Sequence, residues 1–122
     1  MSQIAMYLYS NCSSCRNAEQ VLKSAGVDYQ RRDIFKERLS VDELNKLFRD
    51  NGKRPTEWLS RRSIPFRTLE LANRDLSDEE LIELMSEHPA LLKRPIIIAP
   101  DSVQVGFNRG ALEALAYRQR QG

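Results

Sequence analysis

The chain has 122 residues, 41% of them hydrophobic and 30% charged, with a net charge of +2 at pH 7. That length suits one domain whose core needs no staples, and the composition excludes a disordered chain. The net charge is too small to argue for nucleic acid, and no apolar run approaches the roughly 20 residues that cross a bilayer.

Residues 3–9 are apolar and β-favouring and predict the first strand. Cys12-Ser13-Ser14-Cys15-Arg16 follows directly, and then Ala18, Val21, Leu22 and Ala25 recur at helical spacing. The helix is expected from about Ser14 to Ala25, with Gly26 as its C-terminal cap. Val27 to Ile34 has the pattern of a short strand. This β-α-β opening implies two parallel strands joined by a right-handed crossover.

The middle of the chain reads as helical. Ser40-Val41-Asp42-Glu43 is a capping box, followed by Val41, Leu44, Leu47 and Phe48 at helical spacing up to Asn51-Gly52. Pro55 to about Ser60 suits a short helix anchored by Trp58. Ser77-Asp78-Glu79-Glu80 is a second capping box, opening a helix through Leu81, Leu84 and Met85 that Pro89 ends. Residues 38–90 are therefore expected to be a helical insertion within a single domain spanning 1–122. The stretch has no linker, and its apolar residues look too few for a core of its own.

Strand pattern returns at Pro95 to Ala99, a solid apolar run typical of a strand buried on both faces. Pro100-Asp101-Ser102 is turn chemistry, and Val103, Val105 and Phe107 alternate as an antiparallel partner. A last helix, about Arg109 to Arg118, packs through Leu112, Leu115 and Ala116.

Cys12 and Cys15 are the only cysteines. A C-x-x-C pair between a strand and a helix reads as redox-active rather than structural. The first thiol of such a pair sits near free backbone amides and the positive end of the helix dipole, which favours thiolate. Arg16 is expected to lower its pKa further. The i, i+3 spacing brings the two Cα atoms near the roughly 5.5 Å that a disulfide prefers. Cys12 is expected to be the exposed, attacking thiol and Cys15 the resolving one. Met1-Ser2-Gln3-Ile4 lacks the basic start and apolar core of a signal peptide, so a cytosolic location is expected, where a vicinal pair is catalytic or sensory. A zinc site would need further ligands, and the single histidine, His88, lies far along the chain at a helix end. No bound metal or cofactor is expected.

Two further features carry chemistry. In Lys93-Arg94-Pro95-Ile96 the proline opens a buried strand and suits a cis peptide. Spacing alone lets Arg94 serve equally as a surface residue or as a group pointing into a site at the strand end. Arg61-Arg62, with Arg31-Arg32, Arg54, Arg67 and Arg74, are nearly balanced by acids and read as a solvated face, without direct nucleic-acid binding.

Tyr7 through Arg16, Glu87-His88-Pro89, Leu91-Leu92-Lys93-Arg94-Pro95-Ile96-Ile97-Ile98 and Val105-Gly106-Phe107-Asn108 together resemble the arsenate reductase (ArsC)/Spx family, over nearly the whole chain. The resemblance implies an α/β, thioredoxin-like fold with a mixed four-stranded sheet and a helical insertion between its β-α-β and β-β-α parts. It also implies a cis-proline junction at Arg94-Pro95 facing the active-site cysteine. Two functions follow from it. One is the arsenate reductase, in which Cys12 would attack arsenate, Arg16 and Arg94 would stand at the oxyanion and glutathione with glutaredoxin would be the reductant; Arg61 or Arg62 could supply a further donor. This chain departs from that pattern with Leu8 at the position of a histidine, Phe107 at that of an arginine and Ser60 at that of another. The other is the Spx-type regulator, which binds the C-terminal domain of the RNA polymerase α subunit and senses thiol stress through a C-x-x-C disulfide. Cys12, Cys15, Arg62-Ser63 and the Gly106-Phe107-Asn108 block match it, Arg62 as the redox-coupled arginine. Arg54 stands where those regulators have a glycine. The resemblance tilts towards the regulator, with glutaredoxin or thioredoxin as the reducing partner.

Overall fold

A computed structural model describes residues 3–121. Met1 and Ser2, the first half of the stretch that lacks leader character, lie outside the described residues, as does Gly122. The chain divides into two compact units, one running to Asp33 and resuming at Arg94, the other Ile34–Lys93.

The first unit holds the sheet. Strands β1 (Ala5–Leu8) and β2 (Gln30–Asp33) run parallel around helix α1 (Ser13–Ser24). Strands β3 (Ile96–Ala99) and β4 (Ser102–Val105) form an antiparallel hairpin, and α5 (Arg109–Gln121) closes the unit. The order across the sheet is β2-β1-β3-β4, with β1 antiparallel to β3. A β-α-β part and a β-β-α part joined in this order make a mixed, thioredoxin-like sheet. Ala18, Val21 and Leu22 of α1 and Leu112, Leu115 and Ala116 of α5 are buried in one cluster with Ile4, Met6, Leu8 and Ile97. Ile96 and Ile97 point to opposite faces and are both fully buried, as the unbroken apolar run predicts.

Strand ends are shorter than the sequence suggests. The apolar side chains of Val27 and Tyr29 pack against the core cluster, but the strand begins only at Gln30. Gly26, at φ +70°, ends α1 in the left-handed conformation that a residue with a Cβ adopts at a cost.

The second unit contains α2 (Val41–Asp50), α3 (Ile64–Thr68) and α4 (Asp78–Glu87), with short 3₁₀ turns at Pro55–Trp58, Leu71–Asn73 and Pro89–Leu91. Both capping boxes are present. Ser40 accepts from the Glu43 amide at 3.1 Å and Ser77 from the Glu80 amide at 3.1 Å, while each glutamate accepts from the cap amide. Leu44 and Phe48 of α2 and Leu81, Ile82 and Met85 of α4 are buried. Trp58 is fully buried with its ring centroid 4.8 Å from that of Phe48. An isolated bridge pairs Leu59 with Leu92, flanked by bonds from the Ser60 amide to the Leu91 carbonyl at 2.7 Å and from Lys93 to Trp58 at 2.8 Å. Arg54 forms a forked pair with Asp78, at 3.1 and 3.3 Å.

Helix α3 is absent from the sequence reading. Its signal is Ser63, which caps the Phe66 amide at 3.3 Å, followed by Pro65 in the first turn. Its five residues are too few for a periodicity argument. His88 stands at the C-terminal end of α4, half-buried, its amide bonded to the Leu84 carbonyl at 2.7 Å.

Candidate thiol site

Strand β1 ends at Leu8, and a turn closed by the Cys12 amide on the Tyr9 carbonyl, at 3.0 Å, carries the chain into α1. The Arg16 amide bonds the Cys12 carbonyl at 3.0 Å, so Cys12 is the residue that opens the helix. Its backbone is extended there, at φ −93° and ψ 124°, and its side chain makes no capping hydrogen bond. The first-turn amides have no hydroxyl or carboxylate acceptor there, and they favour a negative charge on the sulfur. Both cysteines are free thiols, Cys12 half-buried and Cys15 fully buried one turn inside.

The opposite side of the site comes from β3. Register pairs Tyr7 with Ile96, and the antiparallel sense sets Pro95 level with Leu8 and carries Arg94 past the end of β1. The Arg94-Pro95 peptide is cis, as the sequence suggested, and Pro95 is buried, its carbonyl accepting from the Gly106 amide at 2.8 Å. Gly106 takes φ +84°, which turns the chain out of β4 towards Asn108, whose side chain caps the Ala111 amide at 2.9 Å. The Arg94 guanidinium lies over the Tyr9 ring, 5.9 Å from its centroid.

These contacts set two unlike thiols. Burial works against ionisation of Cys12, but the amides of Cys15 and Ser14, the Cys15 thiol and the charge of Arg94 outweigh it and hold Cys12 below the ordinary cysteine pKa. Burial pushes Cys15 up to about 12, and the neighbouring Cys12 sulfur adds to the rise, both through its hydrogen bond and through its charge. Arg94 therefore supplies the cationic influence that the sequence reading assigned to Arg16. Arg16 is exposed, whereas the register of β3 brings Arg94 to the thiol.

Of the residues singled out in the sequence, Cys12, Cys15 and Arg94 come together, and the buried Pro95 follows Arg94 across the cis peptide, just before β3. Arg61 and Arg62 lie in the other unit. Both are exposed, and the Arg61 guanidinium sits 5.8 Å from the centroid of the Phe66 ring. Leu8 is fully buried in β1 and Phe107 packs against the core cluster.

Sequence reasoning passed over three groups. Tyr9 supplies the ring beneath Arg94. Asp33, buried at the end of β2, accepts from the Ser10 amide at 3.1 Å and its hydroxyl at 2.5 Å. Glu19, on the buried side of α1, accepts from the Tyr29 hydroxyl at 2.5 Å and from Arg31 at 2.9 and 3.3 Å. Burial opposes the Glu19 charge, but Arg31 and Tyr29 overcome it and lower its pKa. The parallel pairing of Leu8 with Asp33 is the signal that would have placed Asp33 beside the turn.

A thioredoxin-like sheet with a C-x-x-C pair opening its first helix and a cis-proline across from it defines a thiol-redox protein. A model of the ArsC family matches residues 7–115. The chain belongs to the ArsC family, in its ArsC/Spx thiol-redox group. It is similar to the global transcriptional regulator Spx of Bacillus subtilis, 34% identical over 116 residues that cover 95% of this chain and 88% of that protein. The global transcriptional regulator Spx of Streptococcus pyogenes serotype M1 is 36% identical over 117 residues, covering 94% and 86%. Among solved structures, an ArsC family related protein from Bacteroides fragilis superposes with a TM-score of 0.80 at 25% identity, covering 93% of this chain and 97% of that one. An arsenate reductase (ArsC) related protein from Brucella melitensis gives 0.70 at 28%, covering 93% of each. No helix among the described residues is long and apolar enough to cross a membrane.

Proposed function

We propose that the protein is a redox-switched regulator of the Spx type, in which a Cys12–Cys15 disulfide controls binding to the C-terminal domain of the RNA polymerase α subunit. The observation that carries the switch is the unequal thiol pair, with Cys12 held towards thiolate and Cys15 buried beside it as a neutral thiol. A peroxide is the simplest oxidant. The Cys12 thiolate takes one peroxide oxygen, the O–O bond breaks, and hydroxide leaves. Cys12 is then an uncharged sulfenic acid, and its charge no longer raises the Cys15 pKa. Cys15 loses its proton and attacks the Cys12 sulfur, the S–O bond breaks, and the disulfide forms with release of water. Two electrons have passed from the thiols to the peroxide. A dithiol of the thioredoxin or glutaredoxin class returns them by exchange. Arg62 serves in this reading as the arginine that couples to the redox state.

Polymerase binding is supported by the likeness to relatives named as global transcriptional regulators along most of the chain. Co-purification with the polymerase α C-terminal domain, under oxidant and under reductant, tests it. Binding that strengthens on oxidation is expected; no binding in either state would overturn it.

Arg94 beside Cys12 also favours a second reading, a glutaredoxin-dependent arsenate reductase, because a guanidinium fork suits a tetrahedral oxyanion. Cys12, Arg16 and Arg94 would then serve the substrate. Against it stand Leu8 and Phe107, apolar and packed at positions where the reductases carry histidine and arginine. Arsenate with glutathione and glutaredoxin decides: arsenite above background would restore the enzyme, and its absence leaves the regulator.

A further inference from the structure

The turn that delivers Cys12 is held by a contact between strand ends. Tyr9 to Cys12 form one tight turn, closed by the Cys12 amide on the Tyr9 carbonyl at 3.0 Å. Its second residue, Ser10, donates both its amide and its hydroxyl to the same oxygen of Asp33, at 3.1 and 2.5 Å. The two residues are 23 positions apart and meet because β1 and β2 are parallel, with Leu8 opposite Asp33. Asp33 is 8% exposed, so this is a buried charge receiving two donors rather than a surface contact. A hydrogen bond to a buried carboxylate is among the stronger ones.

We propose that Ser10 and Asp33 are positioning residues for the reactive thiol, a clamp that fixes the Tyr9–Cys12 turn so that the Cys12 sulfur faces the amides of Ser14 and Cys15 and the Arg94 guanidinium. The Ser10–Asp33 contact ties this turn to the end of the neighbouring strand. Cys12 has no side-chain cap, and the Asn11 side chain reaches only the Tyr9 hydroxyl, at 3.3 Å. Amide bonds to sulfur weaken steeply with misalignment. A turn released from Asp33 therefore costs the thiolate its donors even though every donor remains in the chain. The assignment rests on the reading of Cys12 as the reactive thiol.

The test is the rate of iodoacetamide alkylation of Cys12 against pH, with Cys15→Ser as the parent and Ser10→Ala, Ser10→Thr and Asp33→Asn added singly. Ser10→Ala and Asp33→Asn should move the midpoint upward and slow alkylation at neutral pH by about threefold to tenfold, since each pKa unit is a tenfold change in thiolate fraction. Ser10→Thr keeps the hydroxyl and should restore the parent profile. Asp33→Asn also separates the clamp from simple charge: removing a nearby negative charge would by itself lower the midpoint, and a lowered midpoint overturns the proposal. So does an unchanged midpoint in a folded Ser10→Ala variant, which decides alone if Asp33→Asn does not fold. If the parent itself alkylates with the midpoint of an ordinary cysteine, the thiol reading under the proposed function fails and the clamp fails with it. A shifted parent whose variants all match it overturns the clamp alone.

Discussion

The helix starts of this chain are built in two ways. In the unit Ile34–Lys93, α2 and α4 open on serines whose hydroxyls cap the third amide while a glutamate reaches back to the cap amide. In the sheet-bearing unit, α1 opens on Cys12, whose side chain makes no capping hydrogen bond. In the first pair of helices the cap amide and the third helical amide both have side-chain acceptors. Helix α1 has no such cap, and its Cys15 and Ser14 amides instead favour the ionised form of Cys12. A position that would favour serine for stability holds instead a group whose charge the fold selects.

The most severe way to break this contrast is Cys12→Ser, which should abolish disulfide formation altogether. At pH low enough for the thiol it replaces to be neutral, it should also stabilise the protein by about 0.5–2 kcal/mol, because a hydroxyl caps the helix where a neutral thiol does not. Urea unfolding and thiol titration check the two halves, and a less stable variant would contradict the account. Next in size is Arg94→Gln, which removes the cation that faces Cys12 and should slow neutral-pH alkylation several-fold, with the midpoint moving upward. The corresponding Arg16→Gln should change the rate less, since Arg94 is the arginine whose charge lowers the Cys12 pKa.

Ser40→Ala and Ser77→Ala sharpen the contrast from the other side. Each should cost about 1 kcal/mol in urea unfolding. The smallest effect belongs to Glu19. Its carboxyl titrates below the ordinary range in the folded chain, so its contribution to stability is complete above the usual glutamate pKa of roughly 4.3 and is lost as pH falls through the lowered folded value. Glu19→Gln should therefore lower stability at neutral pH and flatten its decline in acid, measured as unfolding midpoints across pH 3 to about 7.

The sequence carried the elements that rest on local chemistry. The capping serines, the apolar run of β3, the strand–turn–helix setting of the cysteines and the cis peptide at Pro95 could all be read there. What it hid depends on register. Asp33 meets Ser10 only because β1 and β2 align as they do, and Arg94 displaces Arg16 as the influential cation only because β3 runs antiparallel to β1. Near neighbours in sequence, such as Arg16, are easily mistaken for near neighbours in space; on a helix, one residue beyond Cys15 is enough to turn the side chain out to solvent. Apolar content in the middle of the chain was also undervalued, since Phe48, Trp58, Leu81, Ile82 and Met85 are all buried.

The most direct test of the account is limited labelling of the reduced, full-length protein with a substoichiometric amount of iodoacetamide at neutral pH, followed by peptide mapping. A Cys12 held towards thiolate and a buried neutral thiol at Cys15 predict label on Cys12 with Cys15 untouched. Equal labelling of the two, or label on Cys15 first, would contradict the claim that the uncapped start of α1 is what makes Cys12 the reactive sulfur.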